Sequence, residues 1–392
     1  MKKFNLIHFK TLSGALIAFL ALTLASTGCK KKASTGDAET AILKIGEVGS
    51  LTGSEATFGI STHQGIDLAI RQINAAGGIQ GKKLQVITLD DQSKPDEAAT
   101  AATKLVTQDR VIALLGEVAS SRSIAMAPVA ENAHVIMITP SSTNPKVTEL
   151  GKHVFRVCFI DPFQGEVMAK FALESLQVKK VAVLRDIKSD YSTGLSEYFK
   201  AALKKGGGEI SLEESYESGD IDFKSQLTAI RAKNPEAIFV PGYYTEVGLI
   251  ARQARELGIK APLLGGDGWD SPKLTEIGGK AIENSYFSNH YSNEDQSPRV
   301  QEFVSKFKES YHTLPDGMAA MGYDSVLILA DAMKRAKSLQ TPDILTALNA
   351  TQNYPAVTGN ITIDSKRNAI KSAVVLKVGE NGIFKYQTTV NP

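Results

Sequence analysis

From residue 41 onward, apolar strand-like runs alternate with amphipathic helical stretches, and the alternation runs through twice. The first series places strands at Ile42–Val48, Leu84–Leu89, Val111–Leu115 and Val135–Thr139. Ile66, Ile70 and Ile73 recur at helical spacing and stop at Gly77-Gly78. Pro95–Gln108 carries Ala98, Ala102 and Leu105 on one helical face, and Ser121–Ala133 is a third helix. Strand, helix and strand in that order form right-handed units with parallel pairing, and a parallel sheet is covered on both faces. The second series has strands at Val181–Leu184, Ile210–Tyr216, Ala237–Val240 and Leu263–Gly265. Its helices are Phe163–Leu176, Ser192–Lys205, Phe223–Lys233 and Thr245–Leu257. Pro298–Tyr311 and Gly322–Ala336 add helices, and Asn360–Ile363 and Ala373–Val378 add late strands. The pattern predicts an α/β protein with two parallel-sheet lobes of about five strands each, a size that suits ~350 residues.

The amino terminus reads differently. Lys2 and Lys3 precede an uncharged, largely apolar run, Thr11–Ala25, and then Ala25-Ser26-Thr27-Gly28. The run falls short of the ~20 residues that span a bilayer, so residues 1–28 are expected to be a signal peptide. Small residues ending in Gly before Cys29 resemble a bacterial lipoprotein processing site, although Ser26 stands where that motif usually has Leu. Cys29 is therefore the expected lipidation site, residues 29–40 a flexible tether, and the body a soluble unit outside the cytoplasm.

Charge and motifs narrow the function. The chain has 44 Lys and Arg against 42 Asp and Glu, and loss of the leader's three lysines leaves 41 against 42. Without a basic excess no nucleic-acid partner is expected. Two cysteines make neither a disulfide framework nor a four-thiolate metal site. The loop after the first strand, Gly49-Ser50-Leu51-Thr52-Gly53, is not a dinucleotide fingerprint. Gly77–Lys82 lacks P-loop spacing and follows a helix. No G-x-S-x-G or H-E-x-x-H occurs, and the six histidines stand at no metal-ligand spacing. Cys158, inside the apolar stretch Val154–Ile160, reads as a buried inert thiol. The expectation is a protein that is not an enzyme, without cofactor or metal.

Ligands of open parallel sheets sit beyond the carboxyl ends of the strands. In the first lobe those ends carry Ser50-Leu51-Thr52-Gly53 with Phe58, then Gly116–Ser121, then Pro140-Ser141-Ser142-Thr143. Hydroxyls and free N–H groups at a helix start suit a carboxylate, although such residues also serve as ordinary caps. The second lobe offers Asp186 and Tyr191, Gly242-Tyr243-Tyr244 and Gly265-Gly266-Asp267-Gly268-Trp269-Asp270. An acid with aromatics nearby suits an ammonium group, although an Asp in a Gly-rich loop is also an ordinary turn residue. Together the two lobes describe an amino-acid site in a cleft.

These residues resemble the periplasmic leucine/isoleucine/valine-binding proteins of branched-chain amino-acid ABC importers. The likeness runs from about Ile42 to about Phe384 and is densest at 65–84, Asp90-Asp91, 138–148, 242–258 and 265–270. It implies the type I periplasmic binding fold, two Rossmann-like lobes joined by three crossings near Cys158–Asp161, Ser288–Tyr291 and Gly359–Ala369. Lobe 1 would comprise residues 41–159 and 290–364, and lobe 2 residues 160–289 and 365–392. It further implies that Ser120 and Thr143 hold the ligand carboxylate, Thr143 with hydroxyl and backbone N–H. The Ser141 carbonyl, Tyr243 and Asp267 would hold the ammonium. Phe58, Tyr191 and Ala119, with Trp269, would shape the side-chain pocket, and Met318 falls where an aromatic packs over the ligand. Asp267 is one methylene shorter than the family's glutamate, Ser93 and Ala119 replace its disulfide, and Ser141-Ser142 makes the wall more polar.

The function so implied is an extracytoplasmic, lipid-anchored, monomeric solute-binding protein. It would deliver an amino acid to a membrane ABC permease. Rival readings within the fold are an amide, urea or aromatic-acid ligand. Others are a ligand sensor for a separate receptor, and an extracellular enzyme, for which no nucleophile–base pair is present.

Overall fold

Strands β1 (Ile42–Gly49), β2 (Lys83–Asp90), β3 (Ala113–Leu115), β4 (Ile136–Thr139) and β5 (Val154–Arg156) pair in parallel in the order β2-β1-β3-β4-β5. This computed structural model describes residues 42–392. The leader, Cys29 and the tether lie outside the described residues. The inner strands β3 and β4 are buried along their whole length, as strands of a sheet covered on both faces must be.

The second sheet repeats the plan. Strands β6 (Lys180–Asp186), β7 (Glu209–Tyr216), β8 (Ala237–Phe239), β9 (Leu263–Gly265) and β10 (Tyr286–Asn289) are parallel in the order β7-β6-β8-β9-β10. Both sheets thus have a doubly wound order with its switch point beside their first strands. The antiparallel strands β11 (Tyr354–Ala356), β12 (Gly359–Ile363) and β13 (Ala369–Ile370) form a small separate sheet. Strands β14 (Ala373–Val378) and β15 (Phe384–Val390) then join the second sheet antiparallel, beyond β10, giving it seven strands.

The chain passes between the two sheets after β5, after β10 and after β13. Late residues therefore complete the first core: Phe303, Phe307, Met321 and Ile328 pack with Ile45, Ile66, Leu115 and Ile138. The helices Ala56–Ala75 and Gly317–Arg335 cross closely there. A Cβ on Gly65 would lie 2.0 Å from the Ala319 carbonyl oxygen, and one on Gly322 2.4 Å from that of Thr62. Glycine at both positions is what allows the two backbones to approach.

Several elements differ from the sequence pattern, each for a local reason. The helix expected from Gly322 begins at Gly317, because the Asp316 side chain caps it, accepting the Ala319 N–H at 2.9 Å. The helices starting at Pro95 and Asp161 finish in π turns, Leu105–Asp109 and Phe171–Ser175. Strand β5 is only three residues long inside an apolar stretch, and β10 is only four residues long among polar neighbours, too short in either case for period to carry a signal. β15 is an edge strand with exposed Lys385, Tyr386 and Gln387, so no apolar run marks it.

Candidate functional site

The carboxyl ends of both sheets face one another, and the first lobe contributes three turns. Asp90 at the end of β2 holds the turn after β1, its Oδ1 accepting the Leu51 N–H at 2.9 Å. The segment after β3 leads into the helix Ser120–Asn132, whose first N–H groups have no partner in the preceding turn. The Ser120 hydroxyl accepts the Asn144 N–H at 3.2 Å, which ties the turn after β4 to that helix start.

Beneath these turns lies a buried charge cluster. The Arg122 guanidinium stands 2.8 Å from Glu55, 2.9 Å from Glu117 and 3.8 Å from Asp91, all buried. Glu117 in turn accepts the N–H groups of Ala119 at 2.6 Å and Ser50 at 3.2 Å. One cation thus fixes three acids, and the acids fix two of the turns that line the cleft. Burial first, and Glu117 second, push the Asp91 carboxyl up to about 7. Its ionised form is disfavoured in the fold, so its cost is absent below the ordinary carboxylate range and grows as pH rises toward 7. Asp91→Asn, which keeps an acceptor for the hydroxyl of Ser50 and the N–H of Ser93, is expected to raise the melting temperature more at about pH 8 than at about pH 5. Scanning calorimetry at both pH values checks this.

The second lobe contributes aromatic faces and an acid. Tyr191 and Tyr243 stack with ring centroids 5.3 Å apart, and Phe58 meets Tyr243 edge-on at 5.7 Å. Burial holds both tyrosine hydroxyls well above their ordinary range, so both stay neutral donors. Asp267 opens the tight turn after β9 and is buried. Its Oδ1 accepts the Gln164 amide at 2.7 Å, and its Oδ2 lies 3.0 Å from His290 Nε2 and 3.3 Å from the Ser141 hydroxyl.

Phe58, Ser120, Ser141, Tyr191, Tyr243 and Asp267 line one cavity of about 10 Å³, with Val118, Gly268 and Met318 completing its wall. That is room for one water. Anything larger enters when the lobes part or the Met318 and Phe58 side chains turn. Two larger cavities, of about 570 and 650 Å³, border Tyr291 and Glu294 on the hinge side. The larger one includes the helix start at Gly317, but that N–H is already spent on Asp270 at 2.6 Å, whereas the small one sets the start at Ser120 against Asp267, which makes the small one the candidate site.

Two of the residues read from sequence stand just behind this wall. Ala119 caps the helix start and spends its N–H on Glu117. Thr143 is buried, its carbonyl accepting the Asp161 N–H at 3.0 Å, and its hydroxyl has no partner among the described residues. Trp269 is not in the wall at all. Its indole donates to the Val240 carbonyl at 3.0 Å, and its ring packs in the core against Phe287. Sequence reasoning missed Gln164, His290, Arg122 and Val118.

Beside Phe58, which packs edge-on against Tyr243 and Tyr244, the contacts between the lobes across the cleft are polar and small. Thr57 Oγ1 meets Ser271 Oγ at 2.8 Å, Thr245 donates to the Ser54 carbonyl at 2.9 Å, and Asn144 donates to the Asp190 carbonyl at 2.8 Å. Each is worth about 1 kcal/mol net and exchanges readily for water. Burial pushes the Cys158 thiol up to about 12, which leaves it protonated and inert. Among the described residues, no cluster of three His, Cys, Asp or Glu could hold a metal ion, and no helix is long and apolar enough to cross a membrane.

Comparison with known proteins agrees with this architecture. Residues 42–382 match the family model described as periplasmic binding protein. The leucine-, isoleucine-, valine-, threonine-, and alanine-binding protein of Pseudomonas aeruginosa is 32% identical over 83% of this chain and 86% of its own. The crystal structure of a leucine binding protein, LivK, from Thermotoga maritima shares 41% identity with a TM-score of 0.86, over 89% of this chain and 99% of that one. The branched-chain amino acid transporter substrate binding protein LivJ from Streptococcus pneumoniae, in complex with isoleucine, shares 35% identity with a TM-score of 0.85, over 90% of this chain and 100% of that one. The chain has the type I periplasmic binding fold and belongs to the periplasmic binding proteins, in the branched-chain amino-acid binding family.

Proposed function

We propose that the protein is the extracytoplasmic solute-binding component of an ABC importer, and that it takes a branched-chain amino acid between its lobes. The observation that carries this is the convergence of a helix start with hydroxyls from one sheet and Asp267 from the other on a single small cavity. Ser120 and the helix N–H groups suit the ligand carboxylate, with Thr143 behind them. Asp267, the Ser141 carbonyl and Tyr243 suit the ammonium, and Phe58, Val118, Tyr191 and Met318 give an apolar surround for an aliphatic side chain. An aromatic acid would set its carboxylate near Asp267 with no cation to offset it, which disfavours that ligand.

Binding without chemistry is the mechanism. The ligand replaces the weak polar contacts across the cleft with contacts to both lobes, and closure presents a joined surface to a membrane permease. Acylation of Cys29 would keep a monomer beside that permease. Calorimetry of the purified protein against the standard amino acids tests the reading. The expected result is one-to-one binding of leucine, isoleucine or valine ahead of the rest. Failure of all three to bind overturns it.

A further inference from the structure

His290 joins Asp267 to the hinge. It follows β10, in the second passage of the chain between the sheets, and its side chain is fully buried. The ring stacks on Phe159 with centroids 3.9 Å apart. Its Nε2 faces Asp267 Oδ2 at 3.0 Å and Ser141 Oγ at 3.4 Å. A carboxylate only accepts, so the ring carries its proton on Nε2. The other nitrogen, Nδ1, is buried with no partner among the described residues.

The three groups that donate to Asp267, those of Gln164, Ser141 and His290, are all neutral when His290 is neutral. Among the described residues no Lys or Arg lies within ion-pair distance of Asp267. Its negative charge is thus oriented but not offset, and the cleft carries a vacancy for one positive charge. An ammonium on the ligand fills it. A proton on Nδ1 fills it equally, because it turns the ring into an imidazolium already 3.0 Å from the carboxylate. His290 borders the cavity of about 570 Å³ on the hinge side along with Ser292, Glu294, Thr358 and Ser372, but its ring is fully buried, so a proton reaches Nδ1 when the lobes part.

Resting on the amino-acid reading above, we propose that His290 sets the selectivity of the cleft through this proton. Neutral, it reserves Asp267 for a ligand ammonium. Protonated, it takes that place, and the cleft loses amino acids while gaining tolerance for their ammonium-free keto acids. Burial lowers the affinity of the ring for a proton, Lys371 lowers it further, and Asp267 opposes both. The ionisable groups around the pair also include Asp161, which burial raises to about 8, Asp270, which burial raises to about 7, Cys158, Tyr191 and Tyr243, which stay protonated, and the buried Arg156. The window for the change is therefore the acid side of the ordinary imidazole range, about 6.5 and below.

Leucine and its keto acid are the probes, titrated calorimetrically at about pH 7.5 and about pH 5 into the wild type and His290→Gln. Glutamine keeps a donor for Asp267 and cannot take the proton. In the wild type, leucine affinity should fall by up to about tenfold per pH unit below the imidazole range, and its preference over the keto acid should narrow. In His290→Gln the preference should hold nearly constant. Asp91 and Asp270, buried carboxyls each raised to about 7, give a pH dependence that survives the substitution and so is separated from that of His290. If the variant does not fold, proton release on leucine binding by the wild type is measured at about pH 7.5 and about pH 5 in buffers of differing ionisation enthalpy, and release that grows as pH falls is expected. A wild type that binds leucine with a pH-independent preference, or with no proton release, overturns this inference alone. A wild type that binds none of leucine, isoleucine and valine at about pH 7.5 overturns the branched-chain reading and this inference with it.

Discussion

Asp267→Ala is expected to weaken amino-acid binding by about two to three orders of magnitude, the ~2–5 kcal/mol that follows removal of one partner of a buried charged hydrogen-bond pair. The loss has two sources. The ligand ammonium is left in a buried cleft without its counter-charge. The Gln164 amide, the Ser141 hydroxyl and His290 Nε2, which now meet on Asp267, are left without an acceptor. Asp267→Asn separates them, since it keeps an acceptor and removes only the charge. Calorimetric titration of both variants with leucine is the measurement, with melting temperatures as a control for folding. An Asp267→Ala protein that folds and binds with wild-type affinity would falsify the assignment of the ammonium site.

The second large effect falls on stability. Arg122→Met keeps the volume of the side chain's stem and removes the one cation that, among the described residues, pairs with Glu55, Asp91 and Glu117. Loss of one partner from a buried ionic network costs about 3–5 kcal/mol, because the remaining charges stay buried and unpaired. The melting temperature should drop by about four to seven degrees for a body of this size. Lower pH should recover part of the loss, because protonation of the acids removes the repulsion that Arg122 had offset. Denaturant unfolding at neutral and acid pH measures both. Ligand affinity should fall as well, since Glu117 anchors the N–H groups of Ser50 and Ala119 at the rim of the cleft. A variant as stable as the wild type would show that the cluster is solvated rather than buried in solution.

How much of this could be read in the sequence depends on the range of each signal. The doubly repeated strand–helix pattern is local, so both sheets and most helices are legible from periodicity. Asp267 is legible because glycines and a strand end surround it within six residues, and Ser120 because it opens a helix after a strand. His290 gives no such sign. It is one of six scattered histidines, and its meaning lies in meeting Asp267 across 23 residues and Ser141 across 149. Arg122 likewise acquires its role from Glu55, 67 positions away in the chain. Trp269, conspicuous as the single tryptophan beside Asp267, drew attention to the wrong side of its turn, because its indole faces the core. Long-range pairing is set by topology, and no pattern along the chain reports it.

The threading of the chain has a consequence for synthesis. The helix Gly317–Arg335 supplies fifteen buried residues, many of them in the first core, and β14 and β15 close the second sheet. Neither core can be completed until the last fifth of the chain has left the ribosome. Folding here waits on contacts between distant parts of the sequence, which makes it slow, and an incomplete chain remains open for most of its translation. A polypeptide in that condition can still be threaded through a narrow export channel, so the same interleaving that builds the cleft also delays the moment at which the chain becomes too compact to move.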